Sequence, residues 1–338
     1  MIDPQHELPP DKAALHRKAV RLEWLTVAYL ITATSLLAVV LGNSQAMKAA
    51  WYEDLLSLLP PLAFLVASRF RHRGHTPAYP YGYHRSISIG FLIASAALLA
   101  MGAFILYDSA SMLIARERPS IGLIEVFGQQ VWLGWLMIGA LIYSAVPAVL
   151  LGRAKIPLAE QLHDKVLYAD AKMNRADWMT ATAAIVGVLG IGAGIWWLDA
   201  IAAMVIGLDI TRDGWGNVRR AIADLMDQRP TTVDSEQPLP ILDELRSYVE
   251  RQPWVERSEV RLREEGHVLT GEVYVVPRVD NGQIPSLAEE LTKQVLDLDW
   301  RLHDIAIVIG PGLAEPDDHQ PPRSRSRQGR PSGSRNPR

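Results

Sequence analysis

Two short stretches hold the residues whose types and spacing could do chemistry. The first is Trp51-Tyr52-Glu53-Asp54-Leu55-Leu56-Ser57-Leu58-Leu59-Pro60-Pro61. Glu53 and Ser57 are four residues apart and Asp54 and Ser57 three apart, so on a helix all three share one region. Pro60 and Pro61 have no N–H, which frees the carbonyls of Leu56 and Ser57. Carboxylates with released carbonyls form an oxygen-rich site suited to a hard or borderline cation. The other reading is a proline kink, with Glu53 accepting hydrogen bonds near a membrane interface. The second stretch is Tyr168-Ala169-Asp170-Ala171-Lys172-Met173-Asn174-Arg175-Ala176-Asp177-Trp178. At about 100° per residue, Asp170, Met173, Asn174 and Asp177 fall in one arc, and Lys172 and Arg175 point away. That face offers two carboxylates, an amide and a thioether. Asp170 also reads as half of a structural ion pair with a nearby Arg, and Met173 as packing.

Both stretches lie in apolar surroundings, which is why they matter. An ionisable group within a membrane span costs about 2.5–3.5 kcal/mol on insertion scales, so it is held there for a reason. Residues 22 to 213 are dominated by Leu, Ala, Ile, Val, Trp and Gly, whereas the rest of the 338-residue chain holds most of the charge. A span needs about 20 apolar residues. Six segments qualify, at roughly 25–41, 47–68, 86–113, 131–151, 167–196 and 198–215. Basic residues set the orientation. Arg69, Arg71, Arg73 and Arg85 crowd one short loop and Arg153 and Lys155 another, so both termini are expected in the cytoplasm of a multi-pass inner-membrane protein. Asp209 and Arg212, near the end of the sixth span, read as a pair or as snorkelling side chains.

Composition excludes several classes. There are no cysteines, so neither disulfides nor thiolate metal sites exist. A net charge of −3 gives no footprint for nucleic acid. After Asp227 the patterning changes to helix, strand, strand, helix, strand (239–249, 258–262, 268–276, 287–298, 305–309), an αββαβ order expected to form a small ferredoxin-like α+β layer pair. The organisation is therefore a polar lead (1–21), a six-helix membrane domain (22–216), a cytoplasmic α+β domain (232–312) and a basic low-complexity tail (313–338). His72, His75 and His84 cluster in one loop and read as solvated rather than as a ligand set.

The order of these parts resembles the cation diffusion facilitators. Tyr79-Pro80-Tyr81-Gly82-Tyr83-His84-Arg85 is similar to that family's H-P-Y-G-Y-G-R stretch, residues 169–177 to its A-D-A-L-H-x-R-S-D stretch, and Trp197-Leu198-Asp199-Ala200-Ile201 to the entry of its last span. The resemblance covers roughly residues 20 to 312. It implies a homodimer that exports divalent metal in exchange for protons, with two ligands from the second span and two from the fifth. Those positions fall on Glu53 and Ser57, and on Met173 and Asp177. Ser57 stands where the family has Asp and Met173 where it has His. Asp54 would supply the missing carboxylate after a small rotation, and Asp170 and Asn174 are accessory candidates. The family's loop site would need acid and His at Thr76, Tyr79 and Tyr83, and its cytoplasmic sites a His near Ser258-Glu259 and Val308-Ile309-Gly310. All these are absent, and His267 stands alone.

The resemblance thus implies an alternating-access carrier, not an enzyme, with no resident cofactor and with the metal as cargo. Oxygen ligands suit Mn²⁺, Fe²⁺ or Mg²⁺ and the thioether tilts toward softer ions, leaving Mn, Fe, Zn and Co in contention. Burial disfavours a bare carboxylate and a bound cation favours it, so metal release promotes proton uptake at the same acids. The rival reading is a non-transporting membrane dimer that senses or scaffolds. The topology is checked by reporter fusions at Gly128 and Arg323, which should report opposite sides of the membrane; the same side for both overturns it.

Overall fold

A computed structural model describes residues 8–70, 77–79, 85–235, 237–266, 268–278 and 282–310. The membrane part comprises α1 (Pro10–Val40), α2 (Gln45–Leu56), α3 (Leu59–Phe70), α4 (Arg85–Ala115), α5 (Leu133–Leu162), α6 (Lys165–Gly192) and α7 (Trp196–Leu225). Four stretches are long and apolar enough to cross a bilayer: Pro10–Val40, Gln45–Val66, Ser88–Ala115 and Leu133–Leu162. The second of these takes in α2 and most of α3. The long helices α6 and α7 fall short of that apolarity, because they carry the charges discussed below. The chain is therefore a helical, multi-pass membrane protein.

Several elements differ from the sequence expectation. α1 starts at Pro10, well inside the stretch read as a polar lead, with proline at a first-turn position where its missing N–H costs nothing. α5 continues past Leu151 to Leu162 despite Pro147 and Pro157. Lys155 is consequently buried inside a helix and is not a loop residue, which removes one charge from the orientation count. Between α4 and α5 lies an unpredicted hairpin of β1 (Leu123–Val126) and β2 (Gln129–Trp132). Its two-residue turn, Phe127-Gly128, has positive φ at both positions, as a right-twisted hairpin requires. His72, His75, Thr76, Tyr83, His84, His267 and the tail lie outside the described residues.

Local chemistry sets the helix ends that matter for the site. α2 and α3 are one span interrupted at Ser57 and Leu58, just before the prolines that cannot donate. The start of α2 is capped from another helix. Asp199, fully buried on α7, accepts from the Ser44 hydroxyl (2.6 Å) and from the backbone N–H groups of Gln45 (2.6 Å) and Ala46 (3.2 Å). A carboxylate at a helix N-terminus answers both the open donors and the dipole. α6 ends at Gly194, which is left-handed, while the Ile195 N–H donates to the Gly190 carbonyl (2.8 Å). This is a glycine C-cap of the Schellman type, and it folds α7 back along α6.

Small residues let particular helices touch. A Cβ on Gly102 or Gly214 of α4 and α7 would meet the backbone of Thr211 at 2.7 Å or of Leu99 at 2.6 Å. One on Gly152 of α5 would meet the Ala171 carbonyl of α6 at 2.7 Å. Small-residue seams of this kind let helix backbones approach closely in membranes. α4 is thereby fixed to α7, and α5 to α6.

The C-terminal part contains α8 (Ile241–Glu250), β3 (Val255–Glu265), β4 (Val268–Pro277), α9 (Ile284–Leu296) and β5 (Leu302–Ile309). β3 and β4 pair antiparallel, and β5 joins β4 in parallel through the α9 crossover. Leu245, Val249, Leu269, Val273, Leu291 and Val295 form its core, separate from that of the membrane helices. The β3–β4 hairpin end reaches the membrane helices. Glu264 lies 2.8 Å from Lys165 Nζ and 3.5 Å from His163 Nε2, at the α5–α6 junction. Its oxygens make no aligned hydrogen bond, so the contact is one of charge. Close by, Arg85 at the start of α4 pairs with Asp227 beyond α7.

Burial alone would push the Glu264 carboxyl up, but His163 and the Lys165 ammonium outweigh it and hold the group below its ordinary value. A depressed carboxyl contributes docking stability that is present above its unfolded value, about 4.3, and lost as pH falls through the lower folded value. Protection factors at residues 260–266, corrected for the intrinsic pH dependence of exchange, should therefore be high at pH 7 and fall once the pH drops below the ordinary carboxyl value of about 4.3. Glu264→Gln should be fast already at pH 7. A variant as protected as the parent would remove Glu264 from the docking contact.

Candidate metal site

The two chemical stretches meet. α2 and α6 pack together, and Asp54, Ser57, Asp170, Asn174 and Asp177 are all buried. The buried residues of α6 follow the predicted arc, while Lys172 and Arg175 are exposed. Met173 lies at the edge of that arc and packs against the apolar cluster that includes Ala181 and Ala184.

The acids are answered by hydroxyls rather than by cations. Thr180, one turn beyond Asp177, donates to Glu53 Oε1 (3.1 Å). Ser144 of α5 donates to Asp54 Oδ2 (2.5 Å), and the Tyr29 hydroxyl of α1 donates to the Ser144 carbonyl. Glu53 Oε2 is buried with no partner. Among the described residues, neither Glu53, Asp54 nor Asp177 forms an ion pair, and no three His, Cys, Asp or Glu side chains converge as a ready-made metal cage. Glu53 and Asp54 are adjacent and so about 100° apart on the helix. One is directed to α6 and the other to α5. A cation here would gather its oxygens from both sides of α2, with hydroxyls and water completing the shell.

The remaining members of the predicted face serve a different network. Lys155 Nζ lies 2.8 Å from Glu23 Oε2 and 2.5 Å from Asp170 Oδ2, and Asn174 Nδ2 donates to the same Asp170 oxygen (3.0 Å). Lys155 and Glu23 are fully buried and Asp170 is 1% exposed. Asp170 is thus ion-paired, as one reading of the sequence had it, but with a lysine of α5 and not an arginine. The structure brings Asp170 and Asn174 to this triad rather than to the Glu53 side. Sequence reasoning missed Glu23, Lys155, Ser144, Tyr29 and Thr180. For Lys155 and Glu23 the signal was available, since a lysine and a glutamate flanked by apolar helix demand partners. Lone hydroxyls in a span give none.

Carboxylates on two packed spanning helices, with no ion pair to a basic side chain among the described residues, form an oxygen-rich site inside a helical membrane bundle. A family model, the cation efflux transmembrane domain, matches residues 24–226, and the chain belongs to the cation efflux family. It is 24% identical over 201 residues to the manganese efflux system protein MneS of Bacillus subtilis, covering 59% of this chain and 65% of that one. It is 25% identical over 201 residues to the uncharacterized transporter YdbO of the same organism, with the same coverage. It is 28% identical over 160 residues to the magnetosome protein MamB of Paramagnetospirillum magneticum, covering 47% and 48%. The matched region spans less than two thirds of each relative's own length.

The triad generates a direct test. Lys155→Met leaves two buried carboxylates with no cation between them, and breaking a buried ion pair costs about 3–5 kcal/mol. Thermal unfolding of the purified protein should shift down sharply, and Asp170→Asn combined with Lys155→Met should recover part of the loss. A parental melting temperature for Lys155→Met would show that the triad does not hold the bundle.

Proposed function

We propose that this protein exports a divalent transition-metal cation, with Mn²⁺ the favoured cargo, as a six-span homodimer that exchanges metal for protons. The observation that carries the reading is the group Glu53, Asp54 and Asp177: Asp54 and Asp177 are buried and Glu53 half-buried in the membrane part, Glu53 and Asp54 accept from hydroxyls, and among the described residues none of the three is ion-paired. Such a set is costly when empty and is relieved by a divalent ion. When the ion leaves, a proton is the natural replacement, which gives antiport its physical basis.

Several observations support the finer points. At about 1.5 Å per residue, α6 with 28 residues and α7 with 30 are long enough to cross the hydrocarbon, and each packs on a helix that is itself apolar enough to span. Oxygen donors dominate the site, and Met173 is engaged in packing, so the preference leans to Mn²⁺ over zinc. The manganese efflux protein among the relatives is in line with this. We assign Glu53, Asp54, Ser57 and Asp177 as the oxygen ligands, with Met173 at the rim. The αββαβ part, read as a ferredoxin-like unit, is the natural dimerisation surface, on the cytoplasmic side with both termini.

Uptake of Mn²⁺ into proteoliposomes carrying a pH gradient tests the reading. Asp177→Ala should abolish uptake while the dimer persists, because a buried acid without its ion supports function and not folding. Glu53→Ala should be nearly as severe and Asp54→Ala intermediate. Met173→His adds an imidazole and should raise zinc uptake relative to manganese. An intact dimer that moves no divalent ion would instead favour a scaffold.

A further inference from the structure

Asp209 and Arg212 lie three residues apart on α7 and were expected to pair or to snorkel. In the structure no ion pair joins them; both instead line a cavity of about 240 Å³ between α6 and α7. The rest of its wall is apolar, including Ala183 and Ile206, apart from one hydroxyl, that of Thr180. A half-buried carboxylate in a membrane helix, without a cation in contact, is expensive and calls for a partner that is not always there.

Two observations connect this cavity to the carboxylate site. Thr180 lines the cavity and also donates its hydrogen to Glu53 Oε1, so its oxygen lone pairs remain free. The second Glu53 oxygen is buried and unpartnered. A single water needs about 10–15 Å³ of such space, so the cavity has room for a cation with part of its hydration shell.

We propose that Thr180 and Asp209 form a second cation station, on the two walls of the α6–α7 cavity, where a partly hydrated divalent ion is held before it passes to or after it leaves Glu53. One carboxylate, one hydroxyl and retained waters bind such an ion weakly, as a transit point requires. Arg212 shares the cavity and opposes the ion, keeping its residence short. The inference rests on the transport reading, since it extends the path of the same cargo, but it can be tested apart from it.

The first experiment counts Mn²⁺ bound to the full-length protein in detergent by electron paramagnetic resonance, with no transport required. The parent should bind two Mn²⁺ per protomer, one tight and one weak. Asp209→Asn should lose the weak one and Glu53→Gln the tight one. In proteoliposomes, Asp209→Asn should raise the KM for Mn²⁺ about tenfold, the effect of one partly screened charge, with little change in kcat. Asp209→Glu should restore it, and Arg212→Gln should lower KM below the parent value. One Mn²⁺ per protomer in the parent, or an Asp209→Asn variant with parental binding and KM, overturns the station. Two bound Mn²⁺ with no uptake would reject transport and leave the station standing.

Discussion

A charge in a medium that cannot solvate it must be answered by another group of the protein, and the Lys155 ammonium is where this membrane bundle meets that demand most severely. It is fully buried, and its two acids come from different helices, Glu23 on α1 and Asp170 on α6, with the lysine itself on α5. None of the three can be withdrawn without stranding the others, so the three helices are bound into one block. Glu23 retains an oxygen with no partner, so the triad, two carboxyl groups to one ammonium, is not fully satisfied.

Against that background the neighbouring acids stand out. Asp177 belongs to that block and Glu53 and Asp54 to α2, packed against it, but among the described residues none of the three is ion-paired with a lysine or arginine. Their nearest answers are Thr180 and Ser144, whose hydroxyls soften the burial of a carboxylate but do not neutralise it. The bundle thus separates two settings for acids: one side ion-paired for architecture, the other met only by hydroxyls. Asp199 also serves architecture, holding the start of the very helix that carries Glu53.

Much of this was legible in the sequence because it follows from helical periodicity. The spacing of Asp170, Asn174 and Asp177 against Lys172 and Arg175 gives the buried arc of α6, and Pro60-Pro61 marks the break between α2 and α3. The helix and strand order after Asp227 follows from patterning of the same kind. What escaped is what depends on neighbours. Lys155 reads as a loop charge until α5 is seen to continue through Pro157. Asp209 and Arg212 sit at pairing distance in sequence, but a cavity separates their roles. Ser144, Tyr29 and Thr180 acquire meaning only once the helices that carry them are set side by side.

The glycine turn between α6 and α7 has a mechanical consequence. Gly190 packs directly on Leu198 beside that turn, whereas Thr180 and Asp209 lie further down the two helices, beside an open cavity. The pair is built like tweezers, hinged at one end. Thr180 is ten residues from Gly190, a lever arm of about 15 Å at the helical rise. A change of only 10° at the hinge would therefore move the cavity walls by about 2.6 Å, comparable with a whole metal–oxygen bond of about 2.0–2.6 Å. Because α7 is riveted to α4 and α6 to α5, that small angle is carried by whole helix pairs. Leverage alone would thus widen or narrow the space between Thr180 and Asp209 without any helix unwinding.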